Sequence, residues 1–551
     1  MSAECRVPSG NGVTLKVDSV VAADELKDPA LGTRHSALGT PRVACLTPLS
    51  PVESGISYYS EDLLPTLARA LDLHVFVDGY TPTHAAPLRA AGVTIRRGRE
   101  FERAIRAEGF AATIYQLGNS PAHAYMYDRA LREPGVAVLH DAVLHHLRLW
   151  MAINGGRSRR RRYADELREL YGAAGEALAR EVLRGKTPAT LFDYPLIEPI
   201  LDRARAIIVH NAASAARMEE LRPGSKVRVV PMGVPLPSLP PREAARARLG
   251  LAPEAFVVLS LGHANPYKRL DVALRAFRRL ADERPDARFL IAGSEAPGLG
   301  ATLDRQIGYL GLGGRARRLG FVAPDTVADL LAAADCCVNL RYPSSGETSA
   351  SLLRIMGAGL PVVVSDAGSF RELPAASAMV VPVGRIEEPL LAEYLIELAR
   401  NEPLRAGLGA TAREFVATAH SLERAATGYL DTLGELLGRA IAPTSAADGP
   451  VVVGAAVSGA QGLTVGVADG RRNQSASPGV PPAGTLAVDP TLDVVAEALT
   501  DLRLAGHEPT VRSVARDLVA LGLSGEGLGG EARETGRAGR WRARLRVVGR
   551  G

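Results

Sequence analysis

The sequence predicts an α/β protein of two similar, doubly wound domains that face a central cleft and are closed by a C-terminal helix. Three observations carry this. Short apolar runs alternate with helical periodicity from about residue 41 to 440, the pattern of a mostly parallel sheet covered on both faces. The alternation pauses at a proline-rich connector, Pro231–Pro241 (PMGVPLPSLPP), and then restarts. At 551 residues the chain is too long for one core and suits two or three domains.

Residues 1–40 lack sustained periodicity and are expected to be a flexible leader. The first domain, 41–232, opens with an apolar strand at Arg42–Thr47 (RVACLT). A turn-rich loop (PLSPVESGIS) and a helix through Leu63, Leu64, Leu67 and Leu71 follow. Strand, loop and helix begin a Rossmann-like domain, although Gly55 stands alone where a dinucleotide fingerprint carries three glycines. Further strands are expected at His74–Asp78, Val93–Arg96, Thr113–Leu117, Val136–His140 and Ala206–His210. Between His140 and Ala206 the pattern is mostly helical. The arginine run Arg157–Arg162 precedes a helix and reads as a solvated helix entrance, or as a contact for anionic lipid or a phosphate-bearing acceptor.

The second domain, 233–440, has expected strands at Val257–Leu261, Phe289–Ala292, Arg317–Leu319, Cys337–Leu340, Val362–Val364 and Val380–Val383. Pro403–Arg439 suits a long closing helix. Residues 441–488 are small, polar and rich in glycine and proline, so a disordered linker is expected. Residues 489–551 read as a small helical appendage with a basic tail. Its two helices do not show the base-reading polar triple of a helix-turn-helix.

Composition narrows the class. Hydrophobic residues make up 46%, and no run approaches the roughly 18 apolar residues of a membrane span. The N-terminal stretch lacks the apolar core of a secretion signal. A cytoplasmic protein is expected, with contact at the inner face of an anionic membrane peripheral at most. The net charge of +5 is carried almost wholly by arginine and is not read as a nucleic-acid footprint. Lysine occurs only at Lys16, Lys27, Lys186, Lys226 and Lys268, which makes Lys268 in a candidate site notable. The four cysteines form no Cys-x-x-Cys pair, so neither a disulfide framework nor a zinc site is expected.

The chemistry concentrates at strand ends. Arg341–Asp366 (RYPSSGETSASLLRIMGAGLPVVVSD) reads as a loop, an amphipathic helix opened by Glu347, Thr348 and Ser349, and a buried strand. A polar helix N-terminus suits a diphosphate or sugar hydroxyls, and an ordinary helix cap is the competing reading. His140 ends a buried strand, and Lys268–Arg269 stand at a helix entrance after GHANPYKR. An imidazole, a Lys/Arg pair and a carboxylate would serve a nucleotide-diphosphate leaving group, the cations neutralising charge as the bond to phosphate breaks. A core histidine and a solvated helix face are the alternatives for His140 and for Lys268–Arg269. With no Asp-x-Asp pair, a metal held in that way is not expected.

The ordered set LGHANPYKRLDVALRAF, ARFLIAGS, LGFV and LAAADCCVNLRYPSSGETSASLLRIMGAGLPVVVSDAGSFREL resembles the donor-binding half of glycosyltransferase family 4. These are retaining, GT-B enzymes that use nucleotide sugars. TPLSPVESGISYYSEDLLPTLA, YQLGNSPAH, VLHD and IIVHN resemble their acceptor half. The resemblance spans about residues 41–440. It implies that Gly55 lines a loop beside the donor phosphates, that His140 contacts the transferred sugar, and that Lys268 binds the diphosphate. It also implies that Glu347 sits against the sugar and that Glu372 falls near a family glutamate. Gly262, His263, Arg269, Thr348, Ser349 and Arg354 complete the expected donor site.

Two departures stand out. The family's paired glutamates, eight positions apart, are here Gly346 and Arg354, with Glu347 one place later: a GETS-x4-R variant. His263 stands where the family has an arginine, leaving more of the diphosphate charge to Lys268, Arg269 and Arg354. The implied function is transfer of a sugar from a nucleotide-diphosphate sugar to a glycan, lipid-linked or small-molecule acceptor, with retention and without a cofactor. A catalytically inactive GT-B scaffold that binds a partner, and a GT-B enzyme of other chemistry such as an epimerase or phosphorylase, are the alternatives.

Overall fold

The computed structural model describes residues 40–186 and 189–442. The expected leader over residues 1–39, and the linker and appendage from residue 443 on, lie outside the described residues.

The first sheet has seven parallel strands: β1 (Arg42–Leu46), β2 (Asp72–Val77), β3 (Thr94–Arg97), β4 (Ala112–Leu117), β5 (Val136–Leu139), β6 (Ala206–Val209) and β7 (Val227–Val229). The second has six: β8 (Val257–Leu261), β9 (Arg288–Ala292), β10 (Ala316–Gly320), β11 (Cys336–Asn339), β12 (Val362–Ser365) and β13 (Met379–Val381). Spatial orders are β3-β2-β1-β4-β5-β6-β7 and β10-β9-β8-β11-β12-β13. Each order reverses beside its first strand, between β1 and β4 and between β8 and β11. A switch point of this kind leaves a crevice beyond the carboxyl ends of the strands, where ligands of open α/β sheets bind.

Central strands such as β8 (VVLSL) and β12 (VVVS) are buried at every position, because helices cover both faces and apolar side chains suit either side. The short β7 has half-buried and exposed residues in place of an apolar run, and it is the strand the sequence pattern missed.

The helices that shape the site are α1 (Gly55–Leu67), α2 (Gly156–Val182, broken at Gly172), α3 (Ala212–Leu221), α4 (Leu270–Glu283), α5 (Ala350–Gly357), α6 (Glu402–Ala419) and α7 (Leu422–Leu437). The arginine run lies inside the first turns of α2, not ahead of it, and its side chains are exposed. The expected single closing helix is two: α6 stops at Ala419, and Ser421 starts α7 by accepting a hydrogen bond from Arg424 N. The first of the pair, α6, packs on α5, while α7 packs on α1 and β6 of the first domain. The break is pinned, since His420 Nδ1 donates to the Met232 carbonyl at 2.8 Å and Val234 N donates to the His420 carbonyl at 2.9 Å. One apolar cluster therefore runs from Val43 and Leu63 of the first domain through Tyr429 and Leu433 to Leu353 and Val364 of the second.

Candidate functional site

Beyond β8 the chain turns through Gly262 at φ +115°, a conformation L side chains rarely adopt. Asn265 then caps the short turn Pro266–Lys268, its side chain accepting from Lys268 N at 3.1 Å. This turn folds the Lys268 side chain back over the strand end. A Cβ on Gly262 would lie 3.2 Å from Lys268 Nζ and 3.1 Å from Ser351 Oγ, so the glycine leaves a small hollow bounded by an ammonium and a hydroxyl. Ser351 stands in the first turn of α5. There Ser349 caps the helix by accepting from Leu352 N at 3.3 Å, and its hydroxyl lies 3.2 Å from that of Ser351. Lys268 is buried, and among the described residues its ammonium has no hydrogen bond or ion pair. Burial, with the nearby Arg341, holds it well below the usual lysine range. A buried amine without a partner, beside a helix N-terminus, is chemistry that suits an anion.

The first domain brings His140 to the end of β5. His140 is buried, its Nε2 lies 2.7 Å from Gln116 Oε1, and its ring packs on Tyr59 and His210. Burial first, then His210 and His123, keeps it neutral far below the ordinary imidazole range. Next to it, Asp141 accepts from Asn119 N at 2.8 Å and from Ser345 Oγ, across the cleft, at 2.7 Å. Burial raises its carboxyl despite those donors.

The motif loop is pressed against the first domain. Gly346 has φ +81°, and a Cβ there would come within 2.6 Å of Ala142 Cβ. Its carbonyl accepts from Ser214 Oγ at 2.6 Å and from Asn211 Nδ2 at 2.9 Å. Asn211 Nδ2 also reaches Thr348 Oγ1 at 3.0 Å, and Ala142 N donates to the Ser345 carbonyl at 2.6 Å. Glu347 pairs with Arg341, accepts from Ser344 Oγ at 3.1 Å, and lies 2.7 Å from Ser345 Oγ, whose single hydroxyl proton it shares with Asp141. It precedes the helix and does not open it, since α5 begins at Ala350.

The structure gathers Gly262, Lys268 and Ser349 about the hollow. His263 is exposed nearby and its Nδ1 lies 3.0 Å from Ser294 Oγ; partial desolvation and Lys268 lower its pKa. Gly55 opens α1 next to its cap Ser54, with nothing within 4 Å of where a Cβ would be, so no close approach demands glycine there. Three expected donor residues are engaged elsewhere. Arg269 forms an ion pair with the buried Glu387. Arg354 pairs with Asp62 of α1. The Glu372 carboxylate accepts from Ala212 N and Ala213 N at 2.9 and 2.6 Å, capping α3 of the opposite domain. Ser351 was missed, since a serine in the first turn of a helix is ordinary in sequence. A cavity of about 700 Å³ opens beside the motif loop, lined in part by Ala142, Ser214, Arg217, Tyr342, Gly346 and Arg371, and Lys268 does not line it.

Two parallel-sheet α/β domains meeting at their strand ends are a GT-B fold. Residues 241–415 match the family described as "Glycosyl transferases group 1", so this part of the chain is the domain of a hexosyltransferase-type enzyme. Over 381 residues the chain is 28% identical to a D-inositol 3-phosphate glycosyltransferase of Streptomyces avermitilis, covering 64% of this chain and 78% of that one. It is 32% identical over 263 residues to a D-inositol 3-phosphate glycosyltransferase of Geodermatophilus obscurus, covering 45% and 56%. The chain thus spans about half the length of several curated relatives it matches. Among solved structures, sucrose-phosphate synthase from Thermosynechococcus elongatus shares the fold with a TM-score of 0.52 and 15% identity, over 72% of this chain and 99% of that one. No helix among the described residues is long and apolar enough to cross a membrane.

Proposed function

We propose that the chain transfers a sugar from a nucleotide-diphosphate sugar to a glycan, lipid-linked or small-molecule acceptor, with retention of anomeric configuration and no resident cofactor. The observation that carries this reading is the hollow over Gly262, where the unpartnered Lys268 ammonium and Ser351 hydroxyl meet the N-terminus of α5. A diphosphate there gains backbone N–H donors, the helix dipole and a cation. Each strengthens its hold as negative charge collects on the leaving phosphate, which is where rate acceleration originates. His140 and Glu347 would meet the transferred sugar. The names of the relatives make an inositol phosphate the first acceptor to try. The reaction belongs in the cytoplasm on this reading, with the exposed arginines of α2 available for peripheral contact with anionic lipid.

The test is a thermal-shift panel with UDP, GDP, ADP and their sugar conjugates. A binder at about 100 times its Kd adds roughly 2.7 kcal/mol of stability. A selective shift, absent in Lys268→Ala, supports the donor site. The commitment of Arg354 to Asp62 removes one expected nucleotide contact and favours the inactive-scaffold reading as the second choice. Folded protein that shifts with no nucleotide would decide for it.

A further inference from the structure

The helix His145–Asn154 turns at Gly155 into α2. Two of its faces are spent on packing. Leu147 and Met151 join the apolar cluster around Leu139 and Val209 of the first sheet, while Leu149 and Ala152 join Tyr163 and Leu167 of α2. Trp150 and Ile153 belong to neither cluster. They are 41% and 46% exposed, and residues three apart share a helix face. Trp150 is the only tryptophan among the described residues.

Just past the turn stand Arg157, Arg159, Arg160, Arg161 and Arg162, all exposed, and no acidic residue occurs between Asp141 and Asp165. Within this run, among the described residues, only Arg159 has an ion pair, with Asp128. Arg160 reaches back to the Ile153 carbonyl at 3.4 Å, which joins the cations to the apolar pair. The position is unfavourable to them, since cations at a helix N-terminus oppose its dipole and like charges one turn apart repel. An anionic partner offsets both effects. The two helices are also fixed to each other: buried Arg148 pairs with Glu166 and lies 4.5 Å from the Tyr127 ring, and His145 Nε2 lies 2.6 Å from the Tyr163 hydroxyl.

We propose that this helical hairpin is the face the protein lays on an anionic lipid bilayer, with Trp150 and Ile153 entering the headgroup layer and the arginines meeting the lipid phosphates around them. An indole beside an aliphatic side chain suits the boundary between apolar and polar layers, and unpaired guanidiniums suit its phosphates. The arginines alone would allow any polyanion; the apolar pair is what selects a bilayer, because a soluble polyanion leaves both side chains in water. A second copy of the chain would set the same cations against each other. Membrane contact of this kind is independent of the transferase reading, and it would bring the cleft to the membrane surface. His146 of the same helix packs on Phe192 with ring centroids 5.3 Å apart, and Phe192 packs on Tyr267, next to Lys268, at 5.7 Å. The exposed patch thus begins about one turn along the helix from the cleft wall.

The chain's other tryptophan is Trp541, so Trp541→Phe in the full chain leaves Trp150 as the only reporter. Its emission is followed with vesicles of phosphatidylcholine alone and of equal parts phosphatidylcholine and phosphatidylglycerol. The emission should shift to the blue and escape acrylamide quenching with the anionic vesicles only, and high salt should reverse both. Co-sedimentation gives the affinities. Replacing Arg157, Arg160, Arg161 and Arg162 together by Gln should weaken partitioning on the order of 100-fold, and Lys at the same positions should restore most of it. Trp150→Ala with Ile153→Ser should weaken it about tenfold. All these positions are exposed, and each variant should melt like the parent. Failure to bind anionic vesicles overturns the proposal. Sedimentation with unchanged Trp150 emission would place the lipid contact elsewhere in the chain and overturn it as well. The same blue shift with heparin and no vesicles would name a soluble polyanion, and one that follows protein concentration alone would name a second copy; either outcome overturns the bilayer.

Discussion

Arg354 of α5 and Asp62 of α1 form an ion pair between the two domains, at the position where the resembled family keeps a glutamate. Burial raises the Asp62 carboxyl and Arg354 opposes that rise, so Asp62 depends on Arg354 to stay charged. A double-mutant cycle on Arg354→Ala and Asp62→Ala should give a coupling of about 1 kcal/mol by urea denaturation. Arg354→Glu, which restores the family residue, sets two carboxylates together and should lower Tm without improving nucleotide binding. A rise in nucleotide affinity would return this position to the donor site.

Gly346→Ala tests the seating of the motif loop. The positive φ and the 2.6 Å approach to Ala142 leave no room for a methyl group, so strain and overpacking should cost about 1–3 kcal/mol. The denaturation midpoint checks this. An unchanged midpoint would mean that the loop is not held against the first domain in solution.

Lys268 links binding to protons. Burial lowers its pKa in the free protein, and a bound diphosphate favours the charged form. Nucleotide binding should therefore take up protons between the free and bound values, and affinity should weaken as pH rises through that window. Calorimetry in buffers of different ionisation enthalpy measures the uptake. It should vanish in Lys268→Ala.

Acid should unfold the protein early. His123 and His210 are held neutral with pKa values of about 4, and His140 too is lowered well below the ordinary imidazole range, all chiefly by burial. Unfolded histidines titrate near 6.5, so between about 6.5 and about 4 the unfolded chain binds more protons than the folded one. Stability should fall as pH drops across that interval and level off below it. Melting temperatures from pH 8 to pH 4 would show the decline, and His210→Gln should make it shallower.

Most of the fold was legible because parallel strands buried on both faces are written as unbroken apolar runs, as in β8 and β12. The half-exposed β7 carries no such run. The site was legible where a short segment defines its own geometry: Lys268 sits in a turn made by Asn265, and Ser349 caps its own helix. It was illegible where the partner lies far along the chain. Arg269 meets Glu387, Arg354 meets Asp62 and Glu372 meets Ala212, and nothing near any of these residues marks its partner. A charged side chain facing a cleft and one tying two domains together look alike in sequence.

The polypeptide passes between the domains at two places, Met232–Val234 and His420, and these passages are bonded to each other. Two bodies joined along one line keep a single soft mechanical freedom, rotation about that line, while sliding and twisting are stiff. The crevice should therefore open like a door. Contacts nearest that axis would persist through the swing, while those at the free edge would part and re-form.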